Sequence, residues 1–155
     1  MKDSVLIIGA GLTGLLAAYR LQSLGIEVSV VEARDRIGGR IHTVNATHAR
    51  VEMGATWFND SHILVKELIE EFQLPYVEQF LTGTSYFQTF SNVPPQEITV
   101  PKDSPSYRFT LGTISLVEAI HAKLKPHTVS LNEQVTRLDF LKQHVEITTS
   151  KGART

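Results

Sequence analysis

The chain has 155 residues, a formal net charge of -1 and no cysteine. The near-neutral charge gives no electrostatic reason to expect nucleic acid or an anionic membrane as a partner. The lack of cysteine excludes a disulfide framework, a thiolate metal site and a cysteine nucleophile. No apolar run approaches the ~18 residues that span a bilayer, so we expect no membrane partner and a cytoplasmic location.

The N-terminal residues follow the pattern strand, glycine turn, helix, strand. Residues 5–8 are continuously apolar, which is typical of a strand covered on both faces in a parallel sheet. Apolar residues recur at helical spacing from Leu12, and Gly25 is expected to stop this helix. The β-branched residues of 26–31 predict a second strand. These elements together form a βαβ unit.

The glycines of the turn have the spacing of a dinucleotide-binding motif. Gly9 permits a sharp turn, Gly11 lets the backbone approach a pyrophosphate, and Gly14 lets the helix lie close to the strand. The free amides at the helix start, near Leu12 and Thr13, then point at the anion. The motif alone is weak, because glycine turns also occur in other α/β proteins.

A carboxylate strengthens this interpretation. Glu32 ends the second strand, eighteen residues after Gly14. A carboxylate at that position accepts hydrogen bonds from the two hydroxyls of an adenosine ribose and repels a 2′-phosphate. The agreement of strand, helix and acid therefore favours an adenine dinucleotide and disfavours NADP.

Arginines and a glycine pair follow the second strand. A pyrophosphate carries two negative charges, which one helix terminus only partly offsets. Arg40, directly after Gly38 and Gly39, is expected to place a guanidinium on the phosphate oxygens. For Arg34, a phosphate contact and a solvated surface charge are equally open. For Arg36, we expect a solvated surface charge.

Two further helices and several strands are predicted after this region. Residues 44–54 are expected to form a hairpin, and a helix capped by Asp60 or Ser61 should run to Phe72. The spacing of Ser115 and Glu118 predicts a capping box at the start of the last helix. The residues expected on the buried side of the middle helix are Ile63, Val65, Leu68, Ile69 and Phe72.

We divide the chain, taken as one domain over residues 1–155, into three parts. Residues 1–75 form a Rossmann-like core, and residues 76–108 a loop-rich connector with two short strands. Residues 109–155 contribute the last helix and strands near 128–131, 134–140 and 144–149. A turn signal at 150–152 predicts one more strand after it.

The motifs resemble the signature of the flavin-containing amine oxidase family. Gly-Ala-Gly-Leu-Thr-Gly at residues 9–14 and Val-Glu-Ala-Arg-Asp-Arg-Ile-Gly-Gly-Arg-Ile-His-Thr at 31–43 are similar to it nearly residue for residue. Residues 52–57 resemble the segment beside the flavin ring, and 111–120 the return to the FAD domain. Residues 132–135 resemble the strand that meets the adenine.

The resemblance implies FAD as the cofactor and assigns its contacts. Glycines and neighbouring backbone hold the pyrophosphate, an acid meets the ribose, an arginine braces the phosphates, and later segments line the flavin and the adenine. In that order, the implied residues are Gly9, Gly11, Leu12, Thr13 and Gly14; Glu32 and Ala33; Arg40; Gly54, Ala55, Thr56 and Trp57; and Val135. Arg34 and Gly39 are further candidate cofactor-binding residues in the same loop. A core position for Trp57 is an equally open alternative.

The resemblance also implies a reaction, the oxidation of a small amine by hydride transfer to the flavin. The connector is short, and family members continue well past the position of Thr155, so we expect an α/β fold with a parallel sheet and added antiparallel strands, incomplete at the C-terminus. We predict no catalytic residue, and no metal site among the scattered histidines. A non-catalytic FAD- or ADP-binding module that needs a partner chain, and an NAD-linked domain, remain alternatives. A sheet edge left unpaired predicts self-association into a homo-oligomer.

Overall fold

The computed structural model describes residues 4–80, 83–99, 105–142 and 144–154. These residues form helices α1 (Leu12–Ser23), α2 (Ile63–Phe72) and α3 (Ile114–Lys123). The strands are β1 (Ser4–Ile8), β2 (Glu27–Val31), β3 (Thr43–Asn45), β4 (Arg50–Glu52), β5 (Phe58–Asn59), β6 (Tyr76–Glu78), β7 (Thr84–Phe87), β8 (Gln96–Thr99), β9 (Ser106–Phe109), β10 (Val129–Ser130), β11 (Val135–Phe140), β12 (Val145–Thr149) and β13 (Gly152–Arg154).

A parallel sheet in the order β1–β2–β10 forms the centre of the fold. Helix α1 connects β1 to β2 and packs on both strands, which confirms the predicted βαβ unit. Helix α3 packs against α1 and α2. Leu15 of α1, Val30 of β2 and Leu116 of α3 are among the side chains fully removed from solvent in this core. Burying each such side chain contributes about 1.5–3 kcal/mol to folding.

Helix α1 ends as the sequence predicts. Gly25 takes a positive φ of 79°. Its amide donates to the carbonyl of Gln22 (3.0 Å), and the amide of Ile26 donates to the carbonyl of Leu21 (3.1 Å). This pair of bonds is a Schellman motif, which satisfies the last carbonyls of the helix and lets the chain turn into β2.

Helix α2 does not begin as predicted. Its N-cap is His62, with no capping bond from that side chain. Asp60 instead binds Lys66 (2.7 Å), and the hydroxyl of Ser61 donates to Asn59 (2.6 Å). The predicted cap is therefore wrong, because local partners have taken both candidate side chains.

The predicted buried side of α2 is largely confirmed. Leu68 and Ile69 are buried, and Val65 and Phe72 pack partly against the core. Ile63 is an exception, with 65% of its surface exposed. It is the first residue of the helix, before the chain reaches the core.

Helix α3 also begins differently from the prediction. Thr113 is its N-cap, and the hydroxyl of Ser115 donates back to the carbonyl of Gly112 (2.7 Å). A carboxylate from β4 takes the place of the expected capping box. Glu52 accepts the amide of Thr113 at 2.7 Å. Thr43 of β3, bonded to Glu52 at 2.9 Å, accepts the amide of Ile114 at 3.2 Å.

The strands outside the parallel sheet pair in antiparallel fashion. Strands β3 and β4 form the predicted hairpin. The residues described between 76 and 108 contain β6, β7, β8 and part of β9, so the expectation of two short strands is wrong; residues 81, 82 and 100–104 lie outside the described residues. Strands β5, β9 and β6 form one sheet and β7 and β8 a second hairpin. Phe58, Tyr107 and Phe109 pack ring against ring, with Phe58 and Phe109 5.1 Å apart.

The C-terminal strands form an antiparallel sheet in the order β11–β12–β13. Strands β11 and β12 agree with the predicted ones, and β13 is the strand expected after the turn at 150–152. The combination of a parallel sheet, its covering helices and added antiparallel strands confirms the predicted fold class.

Candidate dinucleotide site

A cleft of about 1060 Å³ opens where β1 and β2 end. This is slightly above the roughly 300–1,000 Å³ usual for small-molecule pockets. Ligands of open α/β sheets bind at the carboxyl ends of the strands, as here. The cleft is lined by Ile8, Gly9, Gly11, Leu12, Thr13, Gly14, Glu32, Arg34, Arg36, Gly38, Gly39, Arg40, Ile41, His42, Met53, Gly54 and Ala55.

The glycine turn presents backbone amides to this cleft. Gly9 has a φ of 103°, and its amide donates to the carbonyl of Val31 (2.7 Å), which fixes the turn against β2. Gly11 is the N-cap of α1 and brings no capping side chain. The first amides of the helix therefore lack a side-chain acceptor at this position, and the helix dipole favours an anion there.

Gly11 and Gly14 differ in what surrounds them. A Cβ added to Gly14 would overlap the carbonyl oxygen of Gly9, so this glycine is needed for the close contact of α1 with the turn. A Cβ added to Gly11 would meet nothing closer than 4.0 Å, and its φ of -74° suits any residue. Packing within the chain therefore does not require glycine at Gly11. The open space beside Gly11 leaves room for a ligand phosphate, so the residues present fit a dinucleotide.

Glu32 is held in place by backbone amides. Only 7% of its surface is exposed. One carboxylate oxygen accepts the amide of Ala10 and the other that of Arg34, each at 2.9 Å. Because each carboxylate oxygen can accept more than one hydrogen bond, both oxygens keep acceptor capacity for the hydroxyls of a ribose.

The loop of residues 34–41 packs directly on the glycine turn. The amide of Gly38 donates to the carbonyl of Ala10 (2.8 Å), and Gly11 and Gly38 form an isolated parallel bridge. Gly39 takes a φ of 60°. The exposed side chains of Arg34 and Arg40 lie in the cleft wall, so the cleft combines cations with a helix N-terminus.

Arg36 does not behave as predicted. It is half-buried, and its guanidinium donates to the carbonyls of Ile37 (3.2 Å), Gly39 (3.1 Å) and Ile41 (3.4 Å). The expectation of a solvated surface charge is therefore wrong. The positive φ angles of Gly38 and Gly39 coil the loop back on itself, which brings three carbonyls within reach of one guanidinium.

The segment after β4 completes the cleft wall. The amide of Met53 donates to the carbonyl of His42 (2.8 Å), and a Cβ at Gly54 would overlap the carbonyl oxygen of Arg40. Gly54 and Ala55 line the cleft, whereas Thr56 and Trp57 do not. Trp57 is 70% exposed, so the core alternative for it is wrong. Its place beside a flavin stays a prediction.

Two predicted contacts lie at the edge of the site. Ala33 is exposed directly after Glu32, and Val135 is half-buried in β11; neither lines the cleft. The amides of Asn132 and Glu133 donate to the carbonyls of Arg34 (2.9 Å) and Glu32 (2.8 Å). This pairing ties the start of β11 to the end of β2. Roles for Ala33 and Val135 at the adenosine end stay predictions.

Several residues of the cleft were absent from the sequence-based site. They are Ile8, Arg36, Gly38, Ile41, His42 and Met53. All lie within or beside the motifs already recognised, so adjacency to a motif was the available signal.

The described part of the chain contains neither a metal-binding cluster nor a membrane-spanning helix. No group of three or more His, Cys, Asp or Glu side chains there could hold a metal ion. Within the same residues, no helix is long and apolar enough to cross a membrane.

The site and fold define a Rossmann-like dinucleotide-binding unit, and comparison with known proteins identifies its family. The model of the family described as flavin containing amine oxidoreductase matches residues 12–99, more than half of the chain. The chain belongs to this family.

The comparison also found relatives and similar structures. A probable flavin-containing monoamine oxidase A of Dictyostelium discoideum is 28% identical over 150 residues, which cover 92% of this chain and 33% of that protein. Polyamine oxidase 1 of Oryza sativa subsp. japonica is 56% identical over 59 residues, 36% of this chain and 12% of that protein. A structure of putrescine oxidase bound to putrescine superposes with a TM-score of 0.85 at 17% identity, covering 98% of this chain and 56% of that one.

These findings confirm the resemblance, the fold class and the prediction of FAD as the cofactor. The likeness to putrescine oxidase is a likeness of fold. The chain spans a third or less of the length of the two curated relatives.

Proposed function

We propose that this chain is the FAD-binding portion of an oxidoreductase that oxidises a small amine by hydride transfer to the flavin. The observation that carries the proposal is the cleft at the ends of β1 and β2. A free helix N-terminus, a fixed carboxylate and a loop of arginines line it together. The relatives' names point to amines as the substrate class.

Charge and hydrogen-bonding capacity support the proposed contacts between residues of the cleft and the polar groups of the cofactor. The two charges of a pyrophosphate match the amides near Leu12 and Thr13 together with the guanidinium groups of Arg34 and Arg40. The Glu32 carboxylate matches the ribose hydroxyls. Ala33, Thr56, Trp57 and Val135 complete the proposed contacts at the adenosine and flavin ends.

The cofactor supplies the electron acceptor for the hydride that leaves the carbon bearing the nitrogen. The residues of this chain bind and orient that cofactor. The described part of the chain offers no side-chain constellation for substrate chemistry that we can assign, so we propose no catalytic residue.

A titration of the purified chain with FAD and ADP tests the proposal. We expect both ligands to bind, since ADP carries the ribose and the pyrophosphate that the cleft recognises. Glu32→Ala should weaken both affinities by roughly 1–3 kcal/mol, the range for a hydrogen bond to a charged group. Glu27→Ala, which removes an exposed acid at the start of β2, is the matched control and should leave binding unchanged. Equal affinities of wild type and Glu32→Ala would contradict the assigned role.

A non-catalytic module that binds FAD or ADP beside a partner chain remains the second candidate. The described cleft holds residues suited to the cofactor and none to which we assign substrate chemistry, which is compatible with this candidate. Binding of FAD without oxidation of any amine by the purified chain, but with oxidation after a partner is added, would support this candidate.

Location and self-association are proposals of their own. The chain has no cysteine that calls for an oxidising compartment, and we propose the cytoplasm, which cell fractionation tests. Among the described strands of the parallel sheet, β1 and β10 are the edges, and β1 is the longer of the two. We propose self-association through this edge, to be measured by sedimentation at several concentrations.

A further inference from the structure

Arg36 differs from the other two arginines of the cleft wall in how its charge is used. Arg34 and Arg40 have exposed side chains, whereas Arg36 is half-buried and donates three hydrogen bonds to backbone carbonyls. Among the described residues, no other charged side chain binds the carbonyls of residues 37–41.

The three acceptors are arranged around Arg40. Nη2 of Arg36 donates to the carbonyl of Gly39 (3.1 Å), and Nη1 donates to the carbonyls of Ile37 (3.2 Å) and Ile41 (3.4 Å). Gly39 and Ile41 are the residues directly before and after Arg40. One guanidinium therefore holds the backbone on both sides of Arg40.

Further contacts fix the backbone of residues 38–41. The amide of Gly38 is bonded to the glycine turn, and the amide of Ile41 donates to the carbonyl of Gly38 (3.0 Å). The carbonyl of Arg40 itself packs so closely on Gly54 that a Cβ there would overlap it. These contacts fix the backbone conformation of Arg40, and Arg40 lines the cleft.

A carbonyl oxygen also carries a partial negative charge. Three such oxygens lie in the loop that must accept a doubly charged pyrophosphate. The guanidinium of Arg36 offsets them in a planar fork that a lysine ammonium cannot reproduce.

We propose that Arg36 is a positioning residue for the cofactor, acting through Arg40. Its bonds to the carbonyls of Gly39 and Ile41 fix the backbone that directs the Arg40 guanidinium to the pyrophosphate. The inference rests on the proposed function, since it assumes that the cleft binds the ADP half of FAD.

A double-mutant cycle on the full chain tests this inference, with ADP binding measured by calorimetry. Arg40→Met should raise the Kd for ADP about tenfold, as expected for the loss of one charge-assisted phosphate contact. Arg36→Met should have a similar effect. The double variant should bind little more weakly than the weaker single variant, because Arg36 acts through Arg40. Arg108→Met, an exposed arginine of β9 outside the cleft, should leave the Kd unchanged.

Arg36→Lys separates positioning from charge. It keeps the cation but loses the fork, so we expect the Kd of Arg36→Met, together with faster hydrogen exchange at the Ile41 amide. Restoration of wild-type binding by lysine, or additive effects of the Arg36 and Arg40 substitutions, would show that Arg36 contacts the phosphate as a simple charge, and would overturn the proposal. If Arg36→Met does not fold, Arg36→Lys takes its place in the cycle with the same expected coupling.

The outcomes separate this inference from the proposed function. Absence of ADP and FAD binding to the wild-type chain would reject the proposed function. Wild-type binding that is unchanged in both Arg36 variants would reject the role of Arg36 alone.

Discussion

Single residues of the glycine turn have separate tasks, which the surroundings of each position reveal. Gly14 is required by the fold, because a Cβ would overlap the carbonyl oxygen of Gly9. Gly11 has open space within the chain and an ordinary φ. Gly14 therefore serves the contact of helix and turn, whereas the packing of the chain does not require Gly11, for which a ligand contact stays a prediction.

This difference predicts opposite results for two alanine substitutions. Gly14→Ala should lower the free energy of unfolding by about 1–3 kcal/mol, the usual cost of overpacking. Gly11→Ala should change stability by less than about 1 kcal/mol while weakening ADP binding at least about tenfold, since its methyl group occupies ligand space. Denaturant unfolding and ADP titration of both variants check this. Unchanged ADP binding in a folded Gly11→Ala chain would contradict the ligand role.

The sequence predicted those residues of the cleft whose place follows from the spacing of the motif. Glu32 was recognised because a carboxylate at the end of the second strand has one obvious partner in a dinucleotide site. The bonds of Arg36 could not be foreseen, because its acceptors are backbone carbonyls. Their directions depend on the left-handed conformations of Gly38 and Gly39, which the identity of the arginine does not report.

Helix α3 begins at a position capped by a residue of a distant strand, and not where its own sequence predicts. The spacing of Ser115 and Glu118 suits a capping box, yet the helix has already begun at Ile114. Glu52 caps it from 61 residues away in the chain. A carboxylate at this end also interacts favourably with the helix dipole. Because Gly54 follows Glu52 closely, the same contact anchors the segment that lines the cleft.

Removing the Glu52 cap should therefore lower the free energy of unfolding, whereas removing Glu118 of the predicted capping box should not. Glu52→Ala should reduce the free energy of unfolding by roughly 1–2 kcal/mol, the upper range for a lost helix cap. Glu118→Ala, at an exposed position, should stay within about 0.5 kcal/mol of wild type. Denaturant unfolding of the two variants measures this difference. A larger loss of stability in Glu118→Ala than in Glu52→Ala would instead support the predicted capping box.

Long periodic elements and a local hairpin could be predicted, whereas short strands that pair across a long stretch of chain could not. Helix α1 and strands β11 and β12 carry their pattern within their own residues. Strands β6 and β9 exist because they pair with each other, with Tyr76 opposite Phe109. Such pairing depends on how the chain between the two strands folds, so the residues of either strand alone do not predict it.

Between distant parts of the fold, Glu133 connects the parallel sheet to the β11–β12–β13 sheet. Its carboxylate is 1% exposed and accepts bonds from Thr149 of β12 (2.9 Å) and Arg154 of β13 (2.6 Å). Its amide donates to the carbonyl of Glu32 at the end of β2. The β11–β12–β13 sheet is thus attached to the end of β2, beside the cleft, through one buried acid.

The environment of Glu133 acts on its pKa in two directions. Burial raises the pKa, but the hydrogen bonds from Thr149 and Arg154, with the positive charges of Arg154 and Lys151, outweigh burial and hold the pKa below its ordinary value. The folded chain therefore binds this proton less tightly than the unfolded chain. The carboxylate contributes stability above the ordinary glutamate pKa, and this contribution is lost as the pH falls through the lower native pKa.

Acid unfolding should consequently depend on Glu133. Between about pH 6 and pH 3, which spans the ordinary glutamate pKa of about 4.3, the free energy of unfolding of wild type should fall as the pH is lowered. Glu133→Gln should be less stable at neutral pH, because Arg154 loses its charged partner, but its stability should fall less steeply with acid.

Asp60→Asn is the control: a hydrogen bond from Lys66 also lowers the pKa of Asp60, yet this pair is exposed and contributes little. Denaturant unfolding at a series of pH values measures all three chains. Equal acid slopes for wild type and Glu133→Gln would show that the buried acid does not control acid stability. A slope reduced only in Glu133→Gln would show that acid weakens the fold where the β11–β12–β13 sheet is attached to the parallel sheet.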